Sequence, residues 1–225
     1  LFQPKVVNME IEILPPKHTQ IPARIIKNTG DIIICEGSLV SWNIELENSD
    51  SCFVLINNVL TAKSNKKTVS LKRKILNNTN YSIISSNSNN LSDTLTYFIK
   101  TITDQAPKIS LLQTYDTTNN IYLFNGIIQD DYLLQKLEFI CSRDSNNTLT
   151  ITSENIPIAN KSFEQFVHTT SFNKFNLRPG EKINYYFKVW DNDEVNGPKY
   201  TNSNIFTYNE PSESELIEER NLTSE

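Results

Sequence analysis

The fold is decided by stretches such as LVSWNIEL (Leu39–Leu46), in which Val40, Trp42, Ile44 and Leu46 stand at every second position. Polar residues fill the positions between them. Successive side chains of a β-strand point to opposite faces of the sheet, so this alternation indicates a strand with one buried face.

The same alternation recurs along the chain and is interrupted by runs of Asn, Ser and Asp, residues that favour turns. Short strands at a spacing of about 8–12 residues predict an all-β sandwich. The other predicted strands are Met9–Leu14, Ser51–Ile56, Thr68–Leu71, Tyr81–Ile84, Thr94–Ile99, Lys108–Leu112, Ile121–Ile128, Lys136–Cys141, Thr148–Thr152, Phe163–Thr169, Ile183–Trp190 and Asn204–Tyr208.

A domain boundary is predicted at Asp104–Pro107, where a proline directly precedes a new apolar alternation. Each half then has the size of one immunoglobulin-like sandwich, so we predict tandem sandwiches over residues 1–104 and 105–208. Residues 209–225 carry one basic and six acidic groups and form an acidic tail. Ser212 and Glu215 have the spacing of a capping box, which predicts a short helix beginning near residue 213.

The composition excludes several classes of function. The chain has 225 residues, a net charge of -5, two His and five Gly. An acidic balance argues against a general nucleic-acid binder, and no stretch is apolar and long enough to span a membrane. No common hydrolase, zinc or nucleotide-binding motif occurs, and His168 in a predicted strand is interpreted as structural. We therefore predict a protein that is not an enzyme and that meets a membrane only through segments outside this chain.

The three cysteines leave at least one thiol unpaired. Cys35 and Cys141 lie in apolar, strand-like runs and are interpreted as small hydrophobic residues. Whether Cys35 and Cys52 are bridged is left open, because a sequence does not show their geometry.

The segment Leu177–Tyr208 contains a Leu-Arg-Pro-Gly turn, the strand Tyr185–Val189 and the turn Asn196–Pro198. In this order the segment resembles the last third of a fibronectin type III module. The resemblance implies that a buried Tyr returns its hydroxyl group to the backbone and that Trp190 covers the end of the core.

A second resemblance covers nearly the whole chain. It rests on the stretches Asn28–Asp31, Glu36–Ser38, Val40–Trp42, Asp104–Pro107, Asp130–Tyr132, Lys136–Phe139, Tyr185–Asp193 and Asn196–Lys199. With them the chain resembles the bacterial envelope proteins of domain-of-unknown-function family 4175, in its Bacteroidota version. The resemblance implies membrane helices upstream, β-sandwiches in the periplasm and a helical region that starts near Pro211. It implies no biochemical activity.

Acidic loops suggest a metal site in a fibronectin-like topology. The loop with Asp130 and Asp131 and the loop with Asp191 and Asp193 would lie at one end of the second sandwich, beside Asp104. Gathered carboxylates need a cation, and oxygen ligands suit calcium, so we predict a calcium site there. The alternative interpretation is that these residues form Asx turns and cap loop backbones.

The sequence thus favours a non-catalytic interaction or spacer segment of a larger envelope protein, which presents loops or strand edges to a protein partner. A carbohydrate-binding module is a second hypothesis, and an accessory domain of a hydrolase is a third. The oligomeric state is left open. The aromatic residues that could form a saccharide platform are Tyr115, Tyr122, Tyr132, Tyr200 and Tyr208.

Overall fold

The structure, a computed structural model, describes residues 2–145, 148–215 and 217. The chain divides into two compact units. The first unit comprises Leu1–Asp104 with Glu194–Asn196, and the second comprises Gln105–Asp193 with Gly197–Glu225.

The first unit is a sandwich of two β-sheets. A four-stranded sheet has the order β2-β1-β4-β7, and a five-stranded sheet has the order β3-β9-β8-β5-β6. All neighbouring strands are antiparallel except β3 and β9, which run parallel. The strands are β1 (Lys5–Leu14), β2 (Arg24–Lys27), β3 (Ile32–Cys35), β4 (Leu39–Glu47), β5 (Ser51–Ile56), β6 (Val59–Ser64), β7 (Thr68–Lys74), β8 (Thr79–Ser86) and β9 (Ser92–Ile102).

The core of the first unit is built from the apolar side of this alternation. Every second residue of β4 from Val40 to Leu46 is buried. The ring of Trp42 meets the ring of Tyr81 edge to face, with centroids 5.4 Å apart. The Tyr81 hydroxyl donates a hydrogen bond to the Gly30 carbonyl at 2.8 Å, which satisfies its buried polar atom.

The second unit is also a two-sheet sandwich, with the strand order β10-β11-β14 in one sheet. The other sheet has the order β13-β12-β15, and β16 and β17 both pair with β15. The first, second and fifth strands of this unit thus face the third, fourth, sixth, seventh and eighth, an immunoglobulin-like arrangement. The strands are β10 (Lys108–Asp116), β11 (Ile121–Gln129), β12 (Leu134–Ser145), β13 (Thr148–Ile156), β14 (Phe163–Thr170), β15 (Lys182–Asp191), β16 (Tyr200–Asn202) and β17 (Phe206–Asn209).

Aromatic rings fill the core of the second unit. Phe187 is fully buried, and its ring centroid lies 5.1 Å from that of Phe124 and 5.0 Å from that of Phe139. Aromatic pairs at these distances add about 0.5–1.5 kcal/mol each beyond the burial of their area. This cluster is therefore a principal source of stability in the second unit.

Asparagine supplies the left-handed backbone of many turns. Asn57 and Asn58, with φ of 48° and 63°, form the tight turn between β5 and β6. Hairpin turns of this kind require positive φ, which Asn tolerates better than most residues. The other Asn residues with positive φ are Asn28, Asn48, Asn90, Asn120, Asn160 and Asn176.

The predicted all-β sandwich class is confirmed, and each predicted strand overlaps a strand of the structure. The helix begins at Glu213, where Ser212 and Glu215 form the reciprocal capping hydrogen bonds. Most of the predicted acidic tail, residues 216 and 218–225, lies outside the described residues.

One open question is settled, and two finer expectations resolve differently. Cys35, Cys52 and Cys141 are not joined by any disulfide within the described part of the chain. Tyr185, buried in β15, donates its hydroxyl hydrogen to the side chain of Gln113 at 3.1 Å and not to the backbone. Trp190 is only half-buried and lies on the outer face of its sheet, because it alternates with the inward-facing Val189 and Asp191.

Candidate functional site

The loop after β15 holds two buried carboxylates around one ammonium group. Asp191 and Asp193 are 0% and 1% exposed. The Nζ of Lys199 lies 3.3 Å from Oδ2 of Asp191 and 2.7 Å from Oδ2 of Asp193. A buried carboxylate needs a paired charge and hydrogen bonds to offset its lost hydration. Lys199 supplies that positive charge.

Asp191 also fixes the backbone of the connection between β15 and β16. Its Oδ1 accepts the N–H of Asp193 at 3.2 Å and the N–H of Lys199 at 2.7 Å. The Asp191 N–H in turn donates to the Lys199 carbonyl at 3.0 Å. The pair therefore closes this connection through both side chains and backbone.

The aspartates before β12 serve as turn-forming residues. Oδ2 of Asp130 accepts the N–H of Tyr132 at 3.0 Å, which is the hydrogen bond of an Asx turn. Oδ2 of Asp131 accepts the N–H of Gln105 at 3.3 Å and so ties the start of the second unit to this turn. These bonds fit the alternative interpretation of the acidic residues as loop caps.

Asp104 belongs to the first unit, where it pairs with a histidine. Nε2 of His18 lies 3.2 Å from Oδ2 of Asp104, and both side chains are buried. The structure therefore brings Asp191 and Asp193 together around Lys199, places Asp104 beside His18, and lets Asp130 and Asp131 accept hydrogen bonds from backbone N–H groups. The calcium site stays a prediction.

Sequence reasoning missed both Lys199 and His18 as partners of these carboxylates. A signal for Lys199 was present, because the Asn196-Gly197 turn returns the chain toward β15 and brings the residues after it opposite Asp191. No comparable local signal links His18 to Asp104, which is 86 positions away in the sequence.

The five tyrosines proposed for a saccharide platform are divided between different parts of the second unit. Tyr122 and Tyr208 pack against the core, and Tyr115 lies beside Tyr122 with ring centroids 4.7 Å apart. Tyr132 is half-buried. Tyr200 is 54% exposed on β16. The five therefore form no single exposed row.

Tyr200 instead has a different aromatic neighbour, Trp190, whose ring centroid lies 6.2 Å away. The Nζ of Lys188 lies 3.7 Å from the Tyr200 ring and 4.7 Å from the Trp190 ring. The Nζ of Lys136 lies 4.9 Å from the Trp190 ring. These cation–π contacts make a half-exposed, positively charged aromatic patch on the outer face of the sheet.

The outer edge of the same sheet is β13, a nine-residue strand that pairs with β12. Leu149 and Ile151, which share one face of the strand, are both 63% exposed. Glu154 is the only charged residue of the strand, which contains no Pro or Gly. An edge strand presents a row of backbone N–H and C=O groups that can pair with another strand.

The edges of the first unit differ from β13 in charge. β7 occupies the edge position that β14, the fifth strand, has in the second unit. It ends in Lys72, Arg73 and Lys74, all exposed. β6 occupies the place that β13 has in the second unit, and it carries Lys63. Lysine on an edge strand opposes pairing with other chains. Basic residues therefore oppose strand pairing at β6 and β7 of the first unit, whereas the equivalent edges of the second unit lack them.

His168 is a buried histidine in the core of the second unit. It is 8% exposed, and its ring lies 4.7 Å from that of Phe139 and 6.2 Å from that of Phe124. Among the residues that the structure describes, its Nε2 has no hydrogen-bond partner. Burial lowers the pKa of His168. The nearby charges have smaller effects: Glu154 raises the pKa, and Lys174 lowers it. The structure places His168 in the core. That His168 takes no part in catalysis stays a prediction.

Acidification is expected to destabilise the second unit through His168. The folded state holds the ring neutral, whereas the unfolded chain binds the proton with an ordinary pKa near 6.5. The stabilisation is therefore complete above that pKa and falls as the pH drops below it, by at most about 1.4 kcal/mol per pH unit. Urea unfolding at pH 7.5 and 5.5 measures the change. His168→Phe, which keeps an aromatic ring there, should show a smaller loss, and an equal loss in both proteins would contradict the assignment.

No helix among the described residues is long and apolar enough to cross a membrane.

Comparison with known proteins gives no family for the chain. No protein-family model matches it, and no curated protein matches it. A solved structure of a 1.5-MDa bacterial ice-binding adhesin is 14% identical over 94% of this chain and 66% of that chain, with a TM-score of 0.42. Beta-glucuronidase 3 of Bacteroides uniformis is 13% identical over 77% of this chain and 23% of that chain, with a TM-score of 0.25.

The chicken interferon gamma receptor alpha chain is 7% identical over 81% of this chain and 96% of that chain, with a TM-score of 0.28. The chain thus spans 66% of the adhesin chain and less than a quarter of the glucuronidase chain. Likenesses this weak transfer no function, because β-rich folds serve many unrelated roles.

Proposed function

We propose that this chain is a non-catalytic protein-interaction segment of a larger bacterial envelope protein, and that its partner docks on the edge strand β13. The observation that carries the proposal is that this edge strand is apolar, exposed and nearly uncharged. Leu149 and Ile151 are each 63% exposed on a long strand that has one charged residue.

The docking mode is the addition of an extended strand. A partner strand beside β13 would satisfy the outward N–H and C=O groups, and alternate side chains would set the specificity. Leu149 and Ile151 lie two residues apart and therefore face the same side of the sheet. They offer an apolar anchor on one face of the new pair.

The charge contrast between the two units supports the choice of β13. Residues 63–74, which contain β7 and the end of β6, include six basic and no acidic residues. All six side chains are exposed. In the second unit, the equivalent strands β13 and β14 contain no Lys or Arg. A strand partner would meet less opposition at the second unit than at the first.

The envelope location rests on the resemblance of the sequence to family 4175 and stays part of the proposal, as does the periplasmic side of the membrane. The second candidate function, saccharide binding, is favoured by the half-exposed pair Trp190 and Tyr200 with Lys188 beside it. Titration with soluble oligosaccharides tests it, since Trp190→Ala should then abolish binding that Ile151→Lys leaves unchanged. A role beside a hydrolase domain elsewhere in a full-length protein remains the third proposal.

Capture from a native envelope extract tests the docking edge. The baits are the unchanged chain, Leu149→Lys/Ile151→Lys, and the control Leu112→Lys, which places a lysine at a 64% exposed leucine on the other sheet. We expect the unchanged bait and the control to retain one reproducible protein, and the β13 variant to lose it at least about tenfold, a change of about 1.4 kcal/mol. Equal recovery on all three baits would exclude β13 as the docking site.

A further inference from the structure

We propose that the strand received by β13 is β13 of a second copy of this chain, paired antiparallel across a two-fold axis. This inference rests on the docking edge proposed above and names its partner. A two-fold contact uses the same surface on both copies, so a single strand edge must be complementary to itself. The sequence of β13 meets this requirement in its charge, its side-chain pairs and its register.

The charge of β13 permits self-pairing. Like charges directly opposite each other destabilise an antiparallel pair. β13 carries one charge, at Glu154, near its C-terminal end. When two copies pair about an axis at Ile151, the two Glu154 residues lie on opposite sides of the axis. The edge β7, with three consecutive basic residues, would bring cations together in many registers.

The side chains also favour this register. An axis at Ile151 sets Ile151 opposite Ile151 of the second copy and sets Thr150 opposite Thr152. Pairs of β-branched residues and pairs of threonines are among the favourable cross-strand contacts. Ile151 and Leu149, exposed in the single chain, would then share one apolar band with the same residues of the second copy.

The face of the sheet excludes registers that are offset by one residue. β12 and β13 pair so that Ile151 stands opposite Ser142 and Ser153 stands opposite Ile140. Leu149 and Ile151 therefore belong to the outer face of the five-stranded sheet. A slip by one residue would place apolar residues against the opposite face of the second copy, whereas the proposed axis keeps both outer faces on the same side.

Cysteine cross-linking tests the register directly. In an antiparallel pair, directly opposite residues have Cα atoms about 4.5–5.5 Å apart, which is within disulfide range. Ile151→Cys should therefore form an interchain disulfide in a glutathione redox buffer. Leu149→Cys is the matched control, because its two copies would stand four positions apart along the strands, about 13 Å. We expect cross-linking of Leu149→Cys to be at least about tenfold slower.

The native thiols do not interfere with this experiment. Cys35, Cys52 and Cys141 are buried. Burial raises the pKa of Cys52 to about 11 and that of Cys141 to about 12, so both stay protonated at neutral pH. Because the thiolate is the reactive form and all three native side chains are buried, we expect disulfide exchange at the introduced cysteine.

Sedimentation of the unchanged chain measures the oligomer without cross-links. We expect a dimer whose population rises with concentration, a monomer for Ile151→Lys, and a dimer for Leu112→Lys. A monomer at the highest soluble concentration of the unchanged chain, or equal cross-linking of the two cysteine variants, would overturn the inference. If the chain is a monomer but still captures a different protein through β13, the proposed self-pairing is wrong and the proposed docking edge is retained. A monomer that captures nothing would overturn both.

Discussion

Replacing Lys199 by Met is expected to lower the unfolding free energy of the second unit by about 3 kcal/mol, because removing one partner leaves buried charges uncompensated. Asp191 and Asp193 are almost fully buried, and both lie within 3.3 Å of the Lys199 ammonium group. Methionine keeps the unbranched apolar stem of the side chain and removes the ammonium group with its charge and its hydrogen-bond donors. Asp191 would still accept hydrogen bonds from the backbone N–H groups of Asp193 and residue 199, which limits the loss of unfolding free energy.

Tryptophan fluorescence can follow the second unit alone. The chain has two tryptophans, Trp42 in the first unit and Trp190 in the second. In a Trp42→Phe background, urea unfolding monitored at Trp190 reports the second unit. Lys182→Met, at an exposed position of β15, is the matched control and should change the free energy by less than about 0.5 kcal/mol. A similar small change for Lys199→Met would show that the carboxylates do not depend on its charge.

The variant Lys199→Met also tests the calcium prediction. If the acidic residues hold calcium, millimolar Ca²⁺ should raise the melting temperature of the unchanged chain above its value in EDTA. The rise should be larger in Lys199→Met, where a divalent cation can replace the missing ammonium group. Identical curves in Ca²⁺ and EDTA for both proteins would exclude a calcium site.

Phe187→Ala should destabilise the second unit by about 4 kcal/mol, the combined cost of lost apolar burial and an unfilled cavity. Phe187 has no exposed surface, and its ring touches those of Phe124, Phe139 and Phe166 at centroid distances of 5.0–5.4 Å. A domain is typically stable by only about 5–15 kcal/mol, so this loss is a large part of the total.

The matched control for Phe187→Ala is the same substitution at Phe163, which is 51% exposed at the start of β14. Both variants can be compared by urea unfolding with Trp190 as the probe. We expect Phe163→Ala to lose less than half as much stability as Phe187→Ala. Equal losses would mean that the aromatic cluster does not carry the stability assigned to it.

Alternation predicted the long strands because each of them buries one face. β4 and β15 alternate almost without interruption between buried and accessible residues, and both are recognisable in the sequence. The short strands β2 and β16 were missed, because most of their residues are exposed and no alternation marks them in the sequence. β6 was missed for the same reason, since Val59 and Leu60 face solvent.

The candidate sites depend on information that a single strand does not contain. The sequence pointed to Asp191 and Asp193 as possible calcium ligands. The cation that lies beside them is Lys199, which comes from across a turn, and the register of that turn decides which residue reaches them. Likewise, the residues of β13 read as an ordinary strand. The order of strands in the sheet makes β13 an edge, and its pairing with β12 places Ile151 on the exposed outer face.

The parallel pairing of β3 with β9 has a mechanical consequence for the first unit. Ile32–Cys35 runs beside Ile99–Ile102 in the same direction. When the chain is stretched, tension reaches β3 from its N-terminal end and β9 from its C-terminal end. The two strands are then pulled in opposite directions along one ladder, so its hydrogen bonds are loaded in shear and must break together. An antiparallel hairpin pulled at its open end instead unzips one bond at a time. This short ladder therefore acts as a clamp against extension.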